Sequence, residues 1–436
     1  MSPKTLSASQ KDALNRILID AVASKSSPAL FFGVTNVDGP IYMRGEGTKL
    51  VDDRSSDAVD EDTVMWFCSQ TKLITSIAAL QLIEQGKISL DTPAETVLSE
   101  LANPVVVTAH DENGHIKDTR PAKGKITLGQ LLNHTSGLDY VLDGTTPLTG
   151  PGAGLAAAYQ HNYEGEGVSK FFEMLKGGLP GVPLRFEPGT SFAYGLSTDC
   201  VGFIVERLSG KSLEQYFQDH IFAPLNITSM SFSLRPDMEA RLLPLTYRSK
   251  KGTLEEWNGP DVINQDRTKV TVNLGGVGLY GSQKDYLTIL RHLLQINGNI
   301  RSPFGILHSN KALKKSLAGS ATTPILSRAS VNKLFEPSIP HTAEAQLFGI
   351  LKAFQPHFNF QSGATQFGAG LCLNTADIPG MRRNGSGVWG GWASTSFFID
   401  PDAGVAAVLG TQIAPMADEM YSKTYTALER ALYAGW

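Results

Sequence analysis

Apolar positions along this chain repeat with two periods, and the places where the period changes outline its elements. Residues 7 to 24 alternate apolar and polar groups at helical spacing and predict an amphipathic helix. Residues 28 to 37 form an apolar run rich in Phe and Val, which predicts a strand. Asp38-Gly39 is a hairpin turn signal, and residues 41 to 44 continue as the partner strand. Leu73, Ile77, Leu80 and Ile83 then recur at helical spacing, and Gly86 supplies a stop. Further helices are expected over residues 127–134, 168–176, 199–208, 213–220 and 282–295. The strand pattern returns at 367–373, 394–399 and 405–411, and a final helix is expected over 416–432. Long Gly- and Pro-rich loops fall at 144–154 and 177–188, and loops of that length in a compact protein often carry function.

Strands at both ends and helices between them predict an α+β fold, an α/β sandwich. An antiparallel sheet flanked by helices would use residues 1–62 and 280–436, and a mainly helical lobe would use 63–279. The site is then expected in the cleft between them. The chain has no internal repeat and no low-complexity tract.

Composition narrows the function classes. The 436 residues are 42% hydrophobic and 18% charged, with a net charge of −4, as expected for a soluble globular protein. No Lys/Arg-rich run gives an electrostatic footprint for nucleic acid. No apolar run is long enough to suggest a membrane helix. The polar N-terminal stretch MSPKTLSASQKDAL lacks the apolar core of a signal peptide. The three cysteines, Cys68, Cys200 and Cys372, are odd in number and far apart, which argues against a disulfide framework or a zinc site. A reducing, cytoplasmic setting is therefore expected, with no metal and no cofactor.

The chemistry begins at Ser69, with Lys72 three residues on. On a helix that spacing puts the hydroxyl and the amine on one face. Serine needs a base to become nucleophilic, and a partly desolvated lysine with a lowered pKa can serve. The competing reading of Ser69 is a helix N-cap. A second Ser-x-x-Lys, Ser330 to Lys333, follows a Thr/Pro/Ser-rich stretch and reads as a loop or surface-helix serine. A Pro-Gly turn leads to Tyr194, just ahead of a helix; a phenol beside an ammonium ionises more easily and can act as a base. Otherwise it is a tyrosine packed where the helix begins. The run Gly385-Ser-Gly-Val-Trp389-Gly-Gly-Trp392 leads into a strand, and could aim a backbone N–H at an oxyanion or simply bend the chain.

Other motifs fail on context. Gly276-Val-Gly278-Leu-Tyr-Gly281 matches a dinucleotide fingerprint and follows a possible strand at 270–274, but no acidic residue lies about 20 positions on and no βαβ alternation surrounds it. His110 and His115 flank a turn signal and read as a solvated loop. No G-x-S-x-G and no H-E-x-x-H occurs.

Taken in order, Ser69-x-x-Lys72, His134-Thr-Ser-Gly-Leu138, Phe186-x-Pro-Gly with Tyr194, and Trp389-Gly-Gly resemble the class C β-lactamase superfamily of serine hydrolases, over nearly the whole chain. Residues 124–140 and 222–238 are similar to the fungal lovastatin acyltransferase, whereas Tyr194 to Asp199 and Trp389-Gly-Gly resemble family VIII carboxylesterases. Where β-lactamases carry Tyr-x-Asn this chain has Leu196, and where they carry Lys/His-Thr-Gly it has Trp389, Gly390 and Gly391. The lost amide and lost cation disfavour a β-lactam and favour a less charged ester.

The resemblance implies a β-lactamase/transpeptidase-like fold and roles for single residues. Ser69 would be acylated, Lys72 and Tyr194 would share the base work, and the N–H groups of Ser69 and Trp392 would hold the oxyanion. Trp389, Gly390, Gly391 and Leu196 would meet the substrate. The implied reaction is acyl transfer from a small-molecule ester or thioester, free or on an acyl carrier, to water or an alcohol, as in fungal secondary metabolism. Hydrolysis of a β-lactam or a D-Ala-D-Ala peptide is the second reading, and a non-catalytic binding protein on the same fold is the third. No nucleic-acid or membrane partner is expected.

Overall fold

The computed structural model describes residues 4–51, 53–142, 157–259, 263, 266–297 and 324–436. The expected loop at 144–154 and the segment 302–315 lie outside them.

A seven-stranded antiparallel sheet runs in the order Thr365–Phe367, Cys372–Asn374, Gly387–Gly391, Thr395–Asp400, Val405–Gly410, Leu30–Asn36, Pro40–Glu46. The first strand of the chain therefore pairs with the last, with Gly33 opposite Val408. Leu30–Asn36 is buried at every position, which is why it reads as a continuous apolar run and not as an alternation. The strand Thr395–Asp400 explains the layering. Ser396 and Asp400 accept hydrogen bonds from Tyr421 and Tyr433 of the final helix, while Phe397 stacks at 5.2 Å on Tyr286 of the helix Gln283–Asn297. Side chains alternate across a strand, so the two helices cover opposite faces of the sheet. The helix Ala8–Ala23 packs beside the final helix.

The middle of the chain supplies the second part. The helix Thr71–Glu84 is buried on all sides from Thr71 to Leu82 and packs against Ser197–Ser209. A helix with no solvent face can hold a lysine out of water, and Lys72 is such a residue.

Several expected elements take another form. Residues 367–373 make two strands joined by a turn and not one strand; Gly370 adopts φ +108°, and a Cβ on Gly368 would sit 2.2 Å from the Leu334 carbonyl oxygen. Residues 270–274 are not a strand. The turn between His110 and His115 joins an unanticipated hairpin, Val105–His110 with Ile116–Pro121, extended in parallel by Pro183–Leu184. The final helix starts late, at Glu419, because the Asp418 side chain caps it by accepting from the Tyr421 N–H at 2.8 Å. No helix among the described residues is long and apolar enough to cross a membrane.

Candidate active site

Ser69 sits in a short 3-10 turn, Cys68–Gln70, that feeds the buried helix. It does not cap that helix: Gln70 holds the cap position and makes no side-chain capping bond. The turn is forced by close packing. Cys68 takes φ +46°, and a Cβ on Gly391 would lie 2.3 Å from the Phe67 carbonyl oxygen. The strand Gly387–Gly391 can approach the serine turn that closely only because position 391 has no side chain.

Ser69 is 5% exposed and Lys72 2%. Lys72 Nζ donates to Ser69 Oγ at 3.2 Å, to the Tyr140 hydroxyl at 3.0 Å and to the Gly276 carbonyl oxygen at 2.8 Å. Three acceptors match the three N–H bonds of an ammonium and leave no lone pair facing a partner. The expected lowering of the lysine pKa does not occur. Burial pushes it down, but Tyr140, Tyr194 and Asp199 together outweigh burial and hold Lys72 above the usual lysine range.

Asp199 adds to this pull after Tyr140 and Tyr194. Its carboxylate is fully buried, and it accepts the Gly276 N–H at 2.8 Å and the Tyr159 hydroxyl proton. Tyr159 in turn lies 3.4 Å from the Tyr140 hydroxyl. Burial pushes Asp199 above the usual carboxylate range even though Lys72 pulls it down. Lysine and aspartate thus form a neutral pair joined by two tyrosines on one side and by Gly276 on the other. The glycine motif that resembles a dinucleotide fingerprint is the floor of this arrangement: a Cβ on Gly276 would meet Asp199 Oδ2 at 2.6 Å.

The structure brings Tyr194 to the site in an unexpected pose. Its ring, not its hydroxyl, faces Lys72, with Nζ 4.8 Å from the ring centroid. The hydroxyl accepts the indole N–H of Trp389 at 2.9 Å. His134, from the His-Thr-Ser-Gly segment, packs on the other side of Tyr194 at 4.8 Å. Burial pushes the His134 pKa well down, so it contributes a neutral ring.

Ser69, Tyr140, Tyr194, Trp389 and Trp392 line one narrow cavity of about 20 Å³, closed by Ile350, Leu351, Phe354, Gln355 and Met416. Met416 also borders a second cavity of about 520 Å³, whose wall includes Trp257, in edge contact with Trp392 at 5.6 Å. Gly390 lies under Gln355, with room for the amide only because it lacks a Cβ. Leu196 is buried in the core at the start of the helix Ser197–Ser209 and does not line the cavity. Ser330 lies in a separate helix, and Lys333 pairs there with Glu336 at 2.7 Å. Among the described residues no group of His, Cys, Asp and Glu is arranged to hold a metal ion.

Sequence reasoning missed Tyr140, Tyr159, Asp199 and Gly276 as site residues. Tyr140 ends the His-Thr-Ser-Gly segment and Asp199 ends the segment that Tyr194 begins, so both stood at the margin of a recognised motif. Tyr159 carries no local signal.

Residues 14–432 match the family model described as Beta-lactamase. The chain is 29% identical over 427 residues to the monacolin J acid methylbutanoyltransferase of Aspergillus terreus (strain NIH 2624 / FGSC A1156), covering 95% of this chain and 93% of that protein. It is 31% identical over 366 residues to the lovastatin esterase of Penicillium rubens, covering 82% and 80%. Among solved structures, unliganded simvastatin synthase from Aspergillus terreus superposes with a TM-score of 0.75 at 27% identity, over 99% of both chains.

Proposed function

The chain belongs to the beta-lactamase family, and on that premise we propose that it moves acyl groups from a small-molecule ester or thioester through a Ser69 acyl-enzyme. The observation that carries this reading is the 3.2 Å contact between Lys72 Nζ and Ser69 Oγ at the base of an apolar cavity. The cleft between the sheet-bearing ends of the chain and its helical middle is the proposed place of reaction.

Lys72 is an ammonium at rest, so it needs to release a proton before it can take one. The hydrogen-bonded row Lys72–Tyr140–Tyr159–Asp199 supplies a route. With the Tyr140 hydroxyl turned to donate to Tyr159, one proton passes from Lys72 to Tyr140, the Tyr140 proton to Tyr159, and the Tyr159 proton to Asp199. Neutral Lys72 then takes the Ser69 proton as Oγ attacks the acyl carbon. The raised pKa of Asp199 favours this shift and the raised pKa of Lys72 opposes it. The N–H groups of Ser69 and Trp392 stabilise the oxyanion, where one donor is worth ~2.7–4 kcal/mol. Tyr194, held by Trp389, faces the cavity and returns a proton to the leaving group.

The apolar walls support a short acyl chain, and the larger cavity past Met416 supports a bulky remainder. The named substrates of the relatives, monacolin J acid and lovastatin, support a polyketide alcohol or its ester in fungal secondary metabolism. The donor is a free ester or a thioester on an acyl carrier. The three free, buried cysteines support a cytosolic setting. Leu196 and the Trp389-Gly-Gly run, in place of an amide and a cation, disfavour a β-lactam.

Intact-protein mass after mixing with p-nitrophenyl esters and acyl thioesters tests the reading. A stoichiometric acyl adduct on the wild type and none on Ser69→Ala is the expected result. Equal adducts on both proteins would overturn it.

A further inference from the structure

The Ser69 cavity is lined mostly by hydrocarbon and aromatic rings, and its hydroxyls are engaged or belong to the chemistry. One side chain does not fit that description. Gln355 is 6% exposed, lines the cavity, and its Oε1 makes no hydrogen bond. A buried polar atom left unpaired costs about 1–3 kcal/mol, so native proteins rarely keep one without a use.

The local backbone holds this amide in place. Gln355 ends the helix Glu344–Phe354, and its N–H still bonds the Leu351 carbonyl oxygen at 2.8 Å. Ile350, Leu351 and Phe354 of the same helix wall the cavity beside it. Across from it, a Cβ on Gly390 would come within 3.2 Å of Oε1. The strand that carries Trp389 thus makes room for the amide and gives it no partner. A second lining side chain, Trp392, also has a buried polar atom without a partner, its indole Nε1. A hydroxyl can satisfy the amide oxygen by donating its proton to it.

We propose that Gln355 is the recognition point for an alcohol acceptor: it binds the hydroxyl of an alcohol with an apolar skeleton and aims its oxygen at the Ser69 acyl-enzyme. In that step the docked hydroxyl turns its proton from Gln355 Oε1 to neutral Lys72, the alcohol oxygen bonds to the acyl carbon, the Ser69 Oγ–acyl bond breaks, and Lys72 passes the proton to Ser69 Oγ. Gln355 keeps its own protons and acts as a positioning residue. The cavity of about 20 Å³ takes only the hydroxyl; the apolar skeleton would extend past Met416 into the larger cavity, a contact that water does not make. This inference rests on the Ser69 acyl-enzyme proposed above.

The test uses Gln355→Met, which keeps side-chain length and removes both polar atoms. Each enzyme is acylated by a p-nitrophenyl ester, and the acyl group is partitioned between water and increasing 1-hexanol. The burst of p-nitrophenol is read separately, because the partition of one acyl-enzyme between water and alcohol does not depend on how fast it formed. The transfer-to-hydrolysis ratio should fall about tenfold, through a higher KM for the alcohol, as expected for one lost hydrogen bond. The variant should melt no lower than wild type, since an unpaired buried amide has been removed. A normal burst with an unchanged ratio would overturn the inference and leave the acyl-enzyme reading standing. A wild type that gives no burst and no adduct with any donor would overturn both. A Gln355→Met protein that melts well below wild type would show the amide to be structural, which also overturns the inference.

Discussion

The indole N–H of Trp389 donates to the hydroxyl of Tyr194 at 2.9 Å, while the Tyr194 ring faces Lys72 Nζ at 4.8 Å. The tryptophan stands where related enzymes with a Lys/His-Thr-Gly run carry a cation. Here that position serves a tyrosine of the same site. It fixes which way the phenol points without adding a charge to the cavity.

Trp389→Phe should separate these roles. Phenylalanine keeps an aromatic ring against Tyr194 and Phe367, now at 4.9 and 5.4 Å, and deletes only the donor. A freed hydroxyl is expected to slow acylation about tenfold, near 1.4 kcal/mol, with stability changed by no more than about 1 kcal/mol. Stopped-flow release of p-nitrophenol and urea unfolding read the two quantities. Acylation at the wild-type rate would show that Tyr194 needs no such anchor.

Gly276→Ala probes the other side of Lys72. The added methyl would lie 2.6 Å from Asp199 Oδ2 and 2.9 Å from Oδ1. That carboxylate is buried and hydrogen-bonded, so it cannot swing aside as a surface chain would. Overpacking of this kind costs about 1–3 kcal/mol, and the displaced Asp199 should also slow acylation. Urea midpoints and burst rates for the variant should both fall. A variant with native stability and a native burst would mean that the floor under Lys72 is not rigid.

Much of the fold was legible because burial is periodic. The two terminal strand groups, the buried Ser69 helix and the helix Val168–Lys176 all follow from apolar spacing and stop signals. The hairpin at 105–121 was not legible, since its outer strand is mostly polar and exposed. The division of the strand pattern at 367–373 depended on where two glycines meet other backbone, a tertiary fact. At the site, the Ser69–Lys72 pair is local and could be read from spacing. Tyr140, Tyr159 and Asp199 reach Lys72 across separations of up to 127 positions, from Lys72 to Asp199. No sequence window contains that network. The expected lowering of the lysine pKa failed for the same reason: desolvation was foreseeable, but the carboxylate that opposes it was not.

His292 gives stability a dependence on acid. Burial, with the Arg291 charge second, lowers its pKa from 6.5 to about 4, and its Nε2 accepts the Ile325 N–H at 3.1 Å. Below pH 6.5 the unfolded chain takes up a proton that the folded chain refuses, so stability falls as pH falls through that window. By pH 5 this one group removes about 2 kcal/mol. His292→Gln keeps an acceptor and deletes the titration. The loss of stability between pH 7 and pH 5 should then be smaller by about 2 kcal/mol, read from urea midpoints at the two pH values. Equal losses in both proteins would place the acid sensitivity elsewhere.

Asp199→Asn decides how Ser69 is activated. Asparagine keeps one carbonyl oxygen, which can accept the Gly276 N–H, but its NH2 replaces the oxygen that accepts the Tyr159 proton, so the Tyr159 hydroxyl must turn to accept. Asparagine cannot store a proton. If Lys72 passes its proton to Asp199 within the site, wild-type acylation should be nearly independent of pH from about 7 to 9. In the variant the Asp199 charge no longer helps to raise the Lys72 pKa, while burial, which lowers it, and Tyr140 and Tyr194, which raise it, remain. Activation then requires Lys72 to lose its proton to solvent before Ser69 can react. The expected profile is a rate about a hundredfold lower at pH 7 that climbs with pH until the lysine is deprotonated. A structural role alone would lower the rate equally at every pH. If Asp199→Asn keeps the wild-type rate and a flat profile, the carboxylate takes no part in moving the proton, and the two tyrosines only hold the lysine in position.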